Sequence, residues 1–267
     1  MWDPVQYGRF AGPRSRAFLD LLAHVEHDAP RLVADLGCGS GELTALLAER
    51  WPGALVLGVD SSPEMLDRAR KHEIPGRLEL VLADISDLDG WSAGRSFDVL
   101  VANASLQWVP GHLELRGDLA RSLRPGGVLA VQVPGNFEAP SHRAVRELCA
   151  SPRWQQRVGD AANRAAVHDP ATYLAELARQ GLEVEAWETT YLHLLGGHDA
   201  VVEWLKGTTL RPVLDLLSPG EQGELLTELG RRLAPVYPET ELGTILPFRR
   251  IFFVAGLHER SGSPRAR

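Results

Sequence analysis

The sequence is poor in the residues and patterns that several protein classes require. It contains two cysteines in 267 residues, Cys38 and Cys149, and neither has a CxxC or zinc spacing, so we expect no disulfide framework. No apolar run approaches the ~18 residues that would span a bilayer. The opening Met-Trp-Asp-Pro lacks the basic and apolar regions of a signal peptide. We therefore expect a cytoplasmic protein without a membrane partner.

Basic charge and metal-spaced histidines are also scarce. The chain carries 28 Lys and Arg against 35 Asp and Glu, so a nucleic-acid partner is not expected. None of the nine histidines forms a His-x-x-x-His pair, and we predict no metal site. A small anion remains a possible ligand, because a local group of arginines can bind it whatever the net charge.

A glycine-rich stretch lies between an apolar run and a helical pattern. Residues 32–36 predict a buried parallel strand, and apolar residues from Leu43 onward recur at helical spacing. Gly37, Gly39 and Gly41 alternate between them, and Asp35 stands two residues before the first. A dinucleotide site has the spacing Gly-x-Gly-x-x-Gly, whereas here the third glycine comes one residue early. A nicotinamide site and a plain tight turn remain the alternatives.

Polar residues follow the next predicted strands. Strands over 54–59, 78–83 and 97–102 are followed by Asp60, Asp84 and Asn103, and a fifth strand is predicted over 128–133. This alternation of strands and helices predicts a doubly wound parallel α/β sheet. Ligands bind at the carboxyl ends of such strands. The acids that end the first three strands, Asp35, Asp60 and Asp84, therefore indicate a ligand crevice.

The second half of the chain is less regular. We predict helices over 142–150 and 170–180, strands over 184–193 and 249–257, and ~40 residues of helical pattern between those strands, too many for an ordinary connection. We expect one domain over 1–259, with a helical lead-in at 1–31 and a cofactor-binding half at 32–136. Segments 137–169 and 198–240 would form a substrate cap, and 260–267 a disordered tail.

The pattern Asp-x-Gly-x-Gly-x-Gly resembles motif I of the class I S-adenosylmethionine-dependent methyltransferases. The resemblance implies a seven-stranded Rossmann-like sheet, S-adenosylmethionine as cofactor and S-adenosylhomocysteine as product. With the strand-end acids, it makes ten residues candidates for cofactor binding: Asp35, Gly37, Gly39, Gly41, Asp60, Ser61, Met65, Asp84, Ile85 and Asn103.

Further stretches resemble the branch of that family that methylates trans-aconitate. They cover roughly residues 2–257: Trp2-Asp3-Pro4 with Tyr7 and Phe10, Arg14-Ser15-Arg16, the glycine stretch, Asp60-Ser-Ser-Pro63, Asn103-Ala-Ser-Leu-Gln-Trp108, Val131-Gln132 with Pro134 and Asn136, Thr189-Thr-Tyr191 with His193, Leu210-Arg-Pro212, and Phe248 with Arg250. The resemblance implies formation of a monomethyl ester on a small polycarboxylate.

Such a substrate determines which residues are needed. A free carboxylate is ionised at pH 7 and needs no general base, so we assign no certain catalytic residue. Holding the other carboxylates requires cations, and the planar fork of arginine suits them. The substrate-binding candidates are Arg16, Gln132, His142, Tyr191, Arg211 and Arg250. Arg211, in an otherwise apolar segment, and Trp108 are the candidate positioning residues, although Trp108 could equally be a core aromatic.

Three other functions remain open. The chain could methylate a malonyl thioester on acyl carrier protein, or a small-molecule hydroxyl. It could instead be a non-catalytic, regulatory S-adenosylmethionine-binding protein, which would keep Asp35, Asp60 and the glycines but need no cap arginines. We expect a monomer or weak dimer.

Overall fold

A computed structural model describes residues 13–159, 161–162, 167–207 and 209–257, apart from the side chains of Pro13, Arg14 and Arg116. Several sequence predictions lie outside these residues. They concern Trp2-Asp3-Pro4, Tyr7, Phe10, the side chain of Arg14, and the tail at 260–267.

Within these residues, eight strands form one sheet, and most of them were predicted from sequence. They are β1 Leu32–Leu36, β2 Leu55–Asp60, β3 Leu78–Leu82, β4 Phe97–Asn103, β5 Leu123–Pro134, β6 Glu183–Leu195, β7 Glu239–Thr240 and β8 Gly243–Gly256. The order across the sheet is β3-β2-β1-β4-β5-β8-β6, and β7 pairs with β8 alone. The predicted α/β fold with a Rossmann-like central sheet is confirmed, with a two-residue strand in addition to the expected seven.

The first five strands pair in parallel, with β1 at the centre. Asp35 of β1 lies opposite Gly58 of β2 and Val101 of β4, and Asn103 of β4 lies opposite Gln132 of β5. All five residues of β1 are buried, as expected for a strand covered on both faces. Parallel pairing places the carboxyl ends of these strands at one edge, where the candidate cofactor residues are found.

The described residues form eleven α-helices, and two of them begin with a side-chain cap followed by proline. The helices are α1 Pro13–Ala23, α2 Glu42–Arg50, α3 Pro63–Ala69, α4 Leu88–Ser92, α5 His112–Arg121, α6 Pro140–Cys149, α7 Gln155–Val158, α8 Pro170–Arg179, α9 Ala200–Lys206, α10 Arg211–Leu214 and α11 Pro219–Leu233. Ser62 caps α3 by accepting from the backbone N–H of Met65, and Asp169 caps α8 by accepting from that of Thr172. Proline follows each cap at the first helical position.

Two strands begin more than two residues before the predicted position. β5 begins at Leu123 instead of residue 128, and residues 124–127, Arg-Pro-Gly-Gly, lie within it although Pro and Gly are typical of turns. Gly126 adopts a φ of 77°, and the pairing of β4 with β5 shifts register between Phe97 and Val99. The strand therefore passes through an irregularity instead of stopping. The last strand also begins earlier than predicted, at Gly243, because a hairpin with β7 extends it.

The chain divides into two compact units. The first contains the residues through Val133, His168–Glu188 and those from Ile251 onward, and the second contains Pro134–Val167 and Thr189–Arg250. The second unit has its own apolar core, built mainly from α6, α9, α10 and α11. It includes most of the predicted cap segments, and their role over a substrate stays a prediction. Among the described residues, no helix is both long and apolar enough to cross a membrane.

Candidate functional site

The glycine loop at residues 37–41 joins β1 to α2 in the first unit. The backbone N–H groups of Gly37 and Cys38 both donate to the carbonyl of Val59, at 2.7 and 3.0 Å, which folds the loop toward the end of β2. The three glycines have φ values of 80°, 54° and 83°, in the left-handed region that glycine adopts without strain.

The three glycines serve different purposes. A Cβ at Gly37 would lie 2.3 Å from Cβ of Ser105, and one at Gly41 would lie 2.9 Å from Cβ of Ala69. Gly37 and Gly41 are therefore required by packing within the protein. A Cβ at Gly39 would meet nothing within 4 Å. Gly39 is thus the point of the loop where a ligand can approach the backbone.

Asp60, at the end of β2, fixes the loop to the next helix. Its Oδ2 accepts from the backbone N–H of Gly39 at 2.8 Å, and its Oδ1 accepts from that of Ser62 at 2.9 Å. Each carboxylate oxygen retains a lone pair for a ligand hydroxyl. Ser61 is exposed and Met65 half-buried beside it.

Asp35 lies beneath the loop and does not face solvent. It is 2% exposed and accepts from the Thr44 hydroxyl at 2.6 Å. Burial raises the pKa of Asp35 to about 6; the Thr44 hydrogen bond acts against this and the charge of Asp60 adds to it. Thr44 was not predicted from the sequence, because a single hydroxyl residue in the first turn of a helix belongs to no motif of recognisable spacing.

Asp84 and Ile85 follow β3 and have different surroundings. The Asp84 carboxylate is exposed and accepts from the backbone N–H and hydroxyl of Ser86, which lower its pKa. Ile85 is buried, and its Cδ1 would lie 3.5 Å from a Cβ at Gly37. Ile85 therefore packs against the glycine loop, whereas the carboxylate of Asp84 is available at the surface.

Buried polar atoms without partners gather after β4. Asn103 Oδ1, Ser105 Oγ and Gln107 Oε1 are all buried and receive no hydrogen bond from the residues described. Buried polar atoms are nearly always hydrogen-bonded, so unpaired acceptors at the sheet's ligand edge fit a bound group that supplies donors. Together with the open space at Gly39, they are compatible with a cofactor carrying N–H and O–H donors.

The remaining candidates of the first unit lie in three different surroundings. Trp108 is 52% exposed, so it is not a core residue. Gln132 is fully buried on β5 opposite Asn103, and its carbonyl accepts from the backbone N–H of Ala104 at 2.9 Å. Arg16 is exposed on α1. The structure thus brings Gln132 next to Asn103.

His142 lies on α6 in the second unit, between two hydroxyl groups. Ser141 Oγ is 3.2 Å from its Nδ1, and Thr209 Oγ1 is 3.0 Å from its Nε2. Burial lowers the pKa of His142 to about 4, and the charge of Arg146 acts in the same direction. The ring is therefore neutral at pH 7. Thr209, another residue that the sequence analysis did not select, connects it to the segment that carries Arg211.

The inward faces of β6 and β8 hold an aromatic cluster. His193 stacks on Trp204 with ring centroids 5.0 Å apart and contacts Phe248 at 5.8 Å. The Arg250 guanidinium lies 4.6 Å from the Phe248 ring and is 7% exposed overall. Tyr191 is buried two residues before His193, on the same face of β6. The cluster thus holds a buried guanidinium among aromatic rings.

Arg211 begins the short helix α10. Its side chain is exposed and forms no ion pair with any residue the structure describes, whereas Leu210 before it is fully buried and anchors the turn. An unpaired guanidinium on an anchored turn can bind a carboxylate. No three His, Cys, Asp or Glu side chains in the described chain are grouped to hold a metal ion.

The chain is similar to known proteins in sequence and in fold. A family model described as a methyltransferase domain matches residues 33–127. A trans-aconitate 2-methyltransferase of Streptomyces avermitilis is 49% identical to this chain, covering 95% of it and 96% of the relative. One from Streptomyces coelicolor is also 49% identical, covering 98% and 88%. The solved structure of the YcgJ protein from Bacillus subtilis has a TM-score of 0.58 at 15% identity, covering 91% of this chain and 97% of that one, a likeness of fold alone.

Proposed function

Because this chain belongs to the family of trans-aconitate 2-methyltransferases, which are S-adenosylmethionine-dependent methyltransferases, we propose that it forms the monomethyl ester of trans-aconitate. The observation that carries the proposal is the 49% identity to relatives of that name over 95% of the chain. The open face of Gly39 and the unpaired acceptors after β4 support a cofactor site in the first unit.

The reaction needs little acid–base chemistry from the protein. When bound, S-adenosylmethionine supplies an electrophilic methyl on its sulfonium, which the ionised acid attacks in line to give the ester and S-adenosylhomocysteine. A carboxylate with a pKa near 4 is ionised at pH 7, so no side chain has to remove a proton. The protein instead contributes orientation, which can supply much of a rate enhancement. No metal enters the proposal.

Residues of the first unit would hold the cofactor. The remaining lone pairs of Asp60 suit hydroxyl donors, and the open backbone at Gly39 admits close approach. Asn103 contributes an acceptor beside them, and the exposed carboxylate of Asp84 another. Asp35 would act from below, by fixing α2 to the end of β1 through the hydrogen bond from Thr44.

Residues of the second unit would hold the carboxylates that do not react. Arg211 presents an exposed guanidinium that forms no ion pair within the described part of the chain, and Arg250 is buried beside Phe248. Tyr191 is buried on the face of β6 that also carries His193, and His142 lies 3.0 Å from the hydroxyl of Thr209, two residues before Arg211. From the first unit, Arg16, Gln132 and Trp108 complete the proposed set. Two permanent cations match the charge of a polycarboxylate better than a neutral histidine does.

A direct test is methyl transfer from labelled S-adenosylmethionine. The purified protein would be incubated with trans-aconitate, with citrate and with malonyl-acyl carrier protein in parallel. We expect a base-labile methyl ester on trans-aconitate. Transfer to malonyl-acyl carrier protein instead would favour a carrier-protein substrate. Tight binding of S-adenosylhomocysteine without transfer to any acid would favour a regulatory protein.

The same preparation tests the proposed oligomeric state. We propose a cytoplasmic monomer or weak dimer that binds neither nucleic acid nor membranes. Light scattering across a range of protein concentrations would give the oligomeric state, and a stable tetramer would contradict the proposal.

A further inference from the structure

Ala104 has a backbone conformation that alanine rarely adopts. Its φ is 55°, and it is one of three non-glycine residues with positive φ in the described chain. Ala93 lies at the C-terminal end of a helix, where such conformations are common, and Asp199 is of a residue type that adopts them more readily than alanine. Ala104 instead follows a parallel strand at the ligand edge of the sheet. Strained residues persist only where the surrounding structure holds them, and they concentrate at functional sites.

Two hydrogen bonds hold Ala104 in this conformation. Its N–H donates to the Gln132 carbonyl at 2.9 Å, as a continuation of the pairing between β4 and β5. Its carbonyl accepts from Nε2 of Gln107 at 2.6 Å. Gln107 is only 7% exposed, and Leu106 before it is fully buried, so the amide is fixed within the turn. The Gln107 bond is the only one of the two made by a side chain, and it can be removed by mutation.

The residues on either side of Ala104 carry the unpaired acceptors. Asn103 Oδ1 and Ser105 Oγ are buried and have no partner among the residues described. Ser105 is also confined by Gly37, because a Cβ on that glycine would lie only 2.3 Å from the Ser105 Cβ. A change in the Ala104 dihedrals would rotate Asn103 relative to Ser105. The direction of both acceptors thus depends on the conformation of one alanine.

We propose that Gln107 is a positioning residue for cofactor binding. Its amide holds Ala104 in the left-handed conformation, which keeps the Asn103 and Ser105 oxygens directed at donor groups of the bound cofactor. The inference rests on the proposed function, since it concerns the same cofactor site. It assigns Gln107 an effect that acts through the backbone of Ala104.

The test is a rescue experiment that uses S-adenosylhomocysteine as the probe. Gln107→Met keeps the length of the side chain but removes its donor, and we expect the dissociation constant to rise about three- to tenfold, as for the loss of one hydrogen bond. Ala104→Gly alone should change it less than about twofold, because glycine adopts positive φ without support. The double variant Ala104→Gly/Gln107→Met should recover most of the lost affinity.

A matched control is Gln222→Met in the second unit. Gln222 also donates its amide to backbone carbonyls, those of Leu214 and Leu217, and its replacement should leave the dissociation constant unchanged. Calorimetric titration well below the melting temperature of every variant separates binding from folding.

The outcomes distinguish the inference from the proposed function. An unchanged dissociation constant in Gln107→Met would overturn the inference. Equal losses in the single and double variants would also overturn it, because Gln107 would then act on the ligand directly. Failure of the unmutated protein to bind S-adenosylhomocysteine would instead remove the proposed function.

Discussion

The two units present their candidate residues in different ways. In the first unit, the ligand edge consists of backbone and short side chains: a glycine loop with positive φ, polar residues at the ends of β2 and β4, and Asp84 shortly after β3. In the second, the candidates are long or aromatic side chains from separate helices and strands, such as His142, Arg211 and Arg250. A site built from backbone imposes a fixed spacing on the sequence, whereas a site built from long side chains does not.

The largest effect is expected from Gly39→Ala. The new Cβ would enter open space, so the cost to stability should be about 1 kcal/mol, from the positive φ of 54° alone. That space is where the cofactor would approach the backbone. We expect S-adenosylhomocysteine to bind at least about a hundredfold more weakly, or ~2.7 kcal/mol, by calorimetric titration.

A control for this prediction is Gly76→Ala. Gly76 has a φ of 71°, and a Cβ added there would also meet nothing within 4 Å, but this glycine lies in the turn before β3. The variant should lose the same stability and keep full affinity. If the two variants bound S-adenosylhomocysteine equally well, the open side of Gly39 would not face the ligand, and the glycine loop would not be the cofactor site.

A second effect, on stability instead of binding, is expected from Asp35→Asn. The pKa of Asp35 is raised to about 6 from 3.8, so the folded state is penalised as pH rises through this window and carries the full penalty above it. Asparagine can still accept from Thr44 but has no charge to bury. The free energy of unfolding at pH 8 should rise by up to about 3 kcal/mol.

Urea unfolding of both proteins between pH 3 and pH 8 would measure this. The two stability curves should diverge from about pH 4 and run parallel above about pH 6, the pKa of Asp35. Curves that stay parallel throughout would show that Asp35 is not penalised by burial. In the first unit, burial would thus raise the pKa of a carboxyl group beneath the glycine loop. In the second unit, burial lowers the pKa of a histidine, His142.

The same contrast explains how much the sequence could predict. The strand ends and the glycine loop were found because parallel strands and positive φ require particular residues at particular positions. Thr44, Ser105 and Thr209 were missed, because each acts through a contact between elements that no local spacing records. The passage of β5 through Arg124–Gly127 was missed for the opposite reason: a strong local turn signal was overridden by sheet pairing.

In the second unit, Arg211→Met should raise the Michaelis constant for trans-aconitate about tenfold, with little change for S-adenosylmethionine. The guanidinium is exposed and unpaired among the described residues, so its removal should barely affect folding. Arg231→Met, on the exposed side of α11, is the matched control and should change neither constant. An unchanged constant for the acid in Arg211→Met would remove Arg211 from the substrate site.

The smallest effect is expected from His142→Gln, measured as a change in pH dependence. The pKa of His142 is lowered to about 4 from 6.5, so the unfolded chain takes up a proton between these values while the folded protein does not. Stability is therefore lost as pH falls through 6.5. Between pH 7 and pH 5.5 this histidine should account for about 1 kcal/mol of the loss.

Glutamine can still hydrogen-bond to Thr209 but does not titrate. His142→Gln should therefore lose about 1 kcal/mol less stability than the unmutated protein between pH 7 and pH 5.5. His198→Gln, at a side chain that is 89% exposed, is the control and should lose as much stability over this pH range as the unmutated protein. If His142→Gln lost stability as steeply as the unmutated protein, the pKa of His142 would not be lowered by folding. The ring would then be a cation below about pH 6.5, where it would join Arg211 and Arg250 as a third positive charge available to the acid.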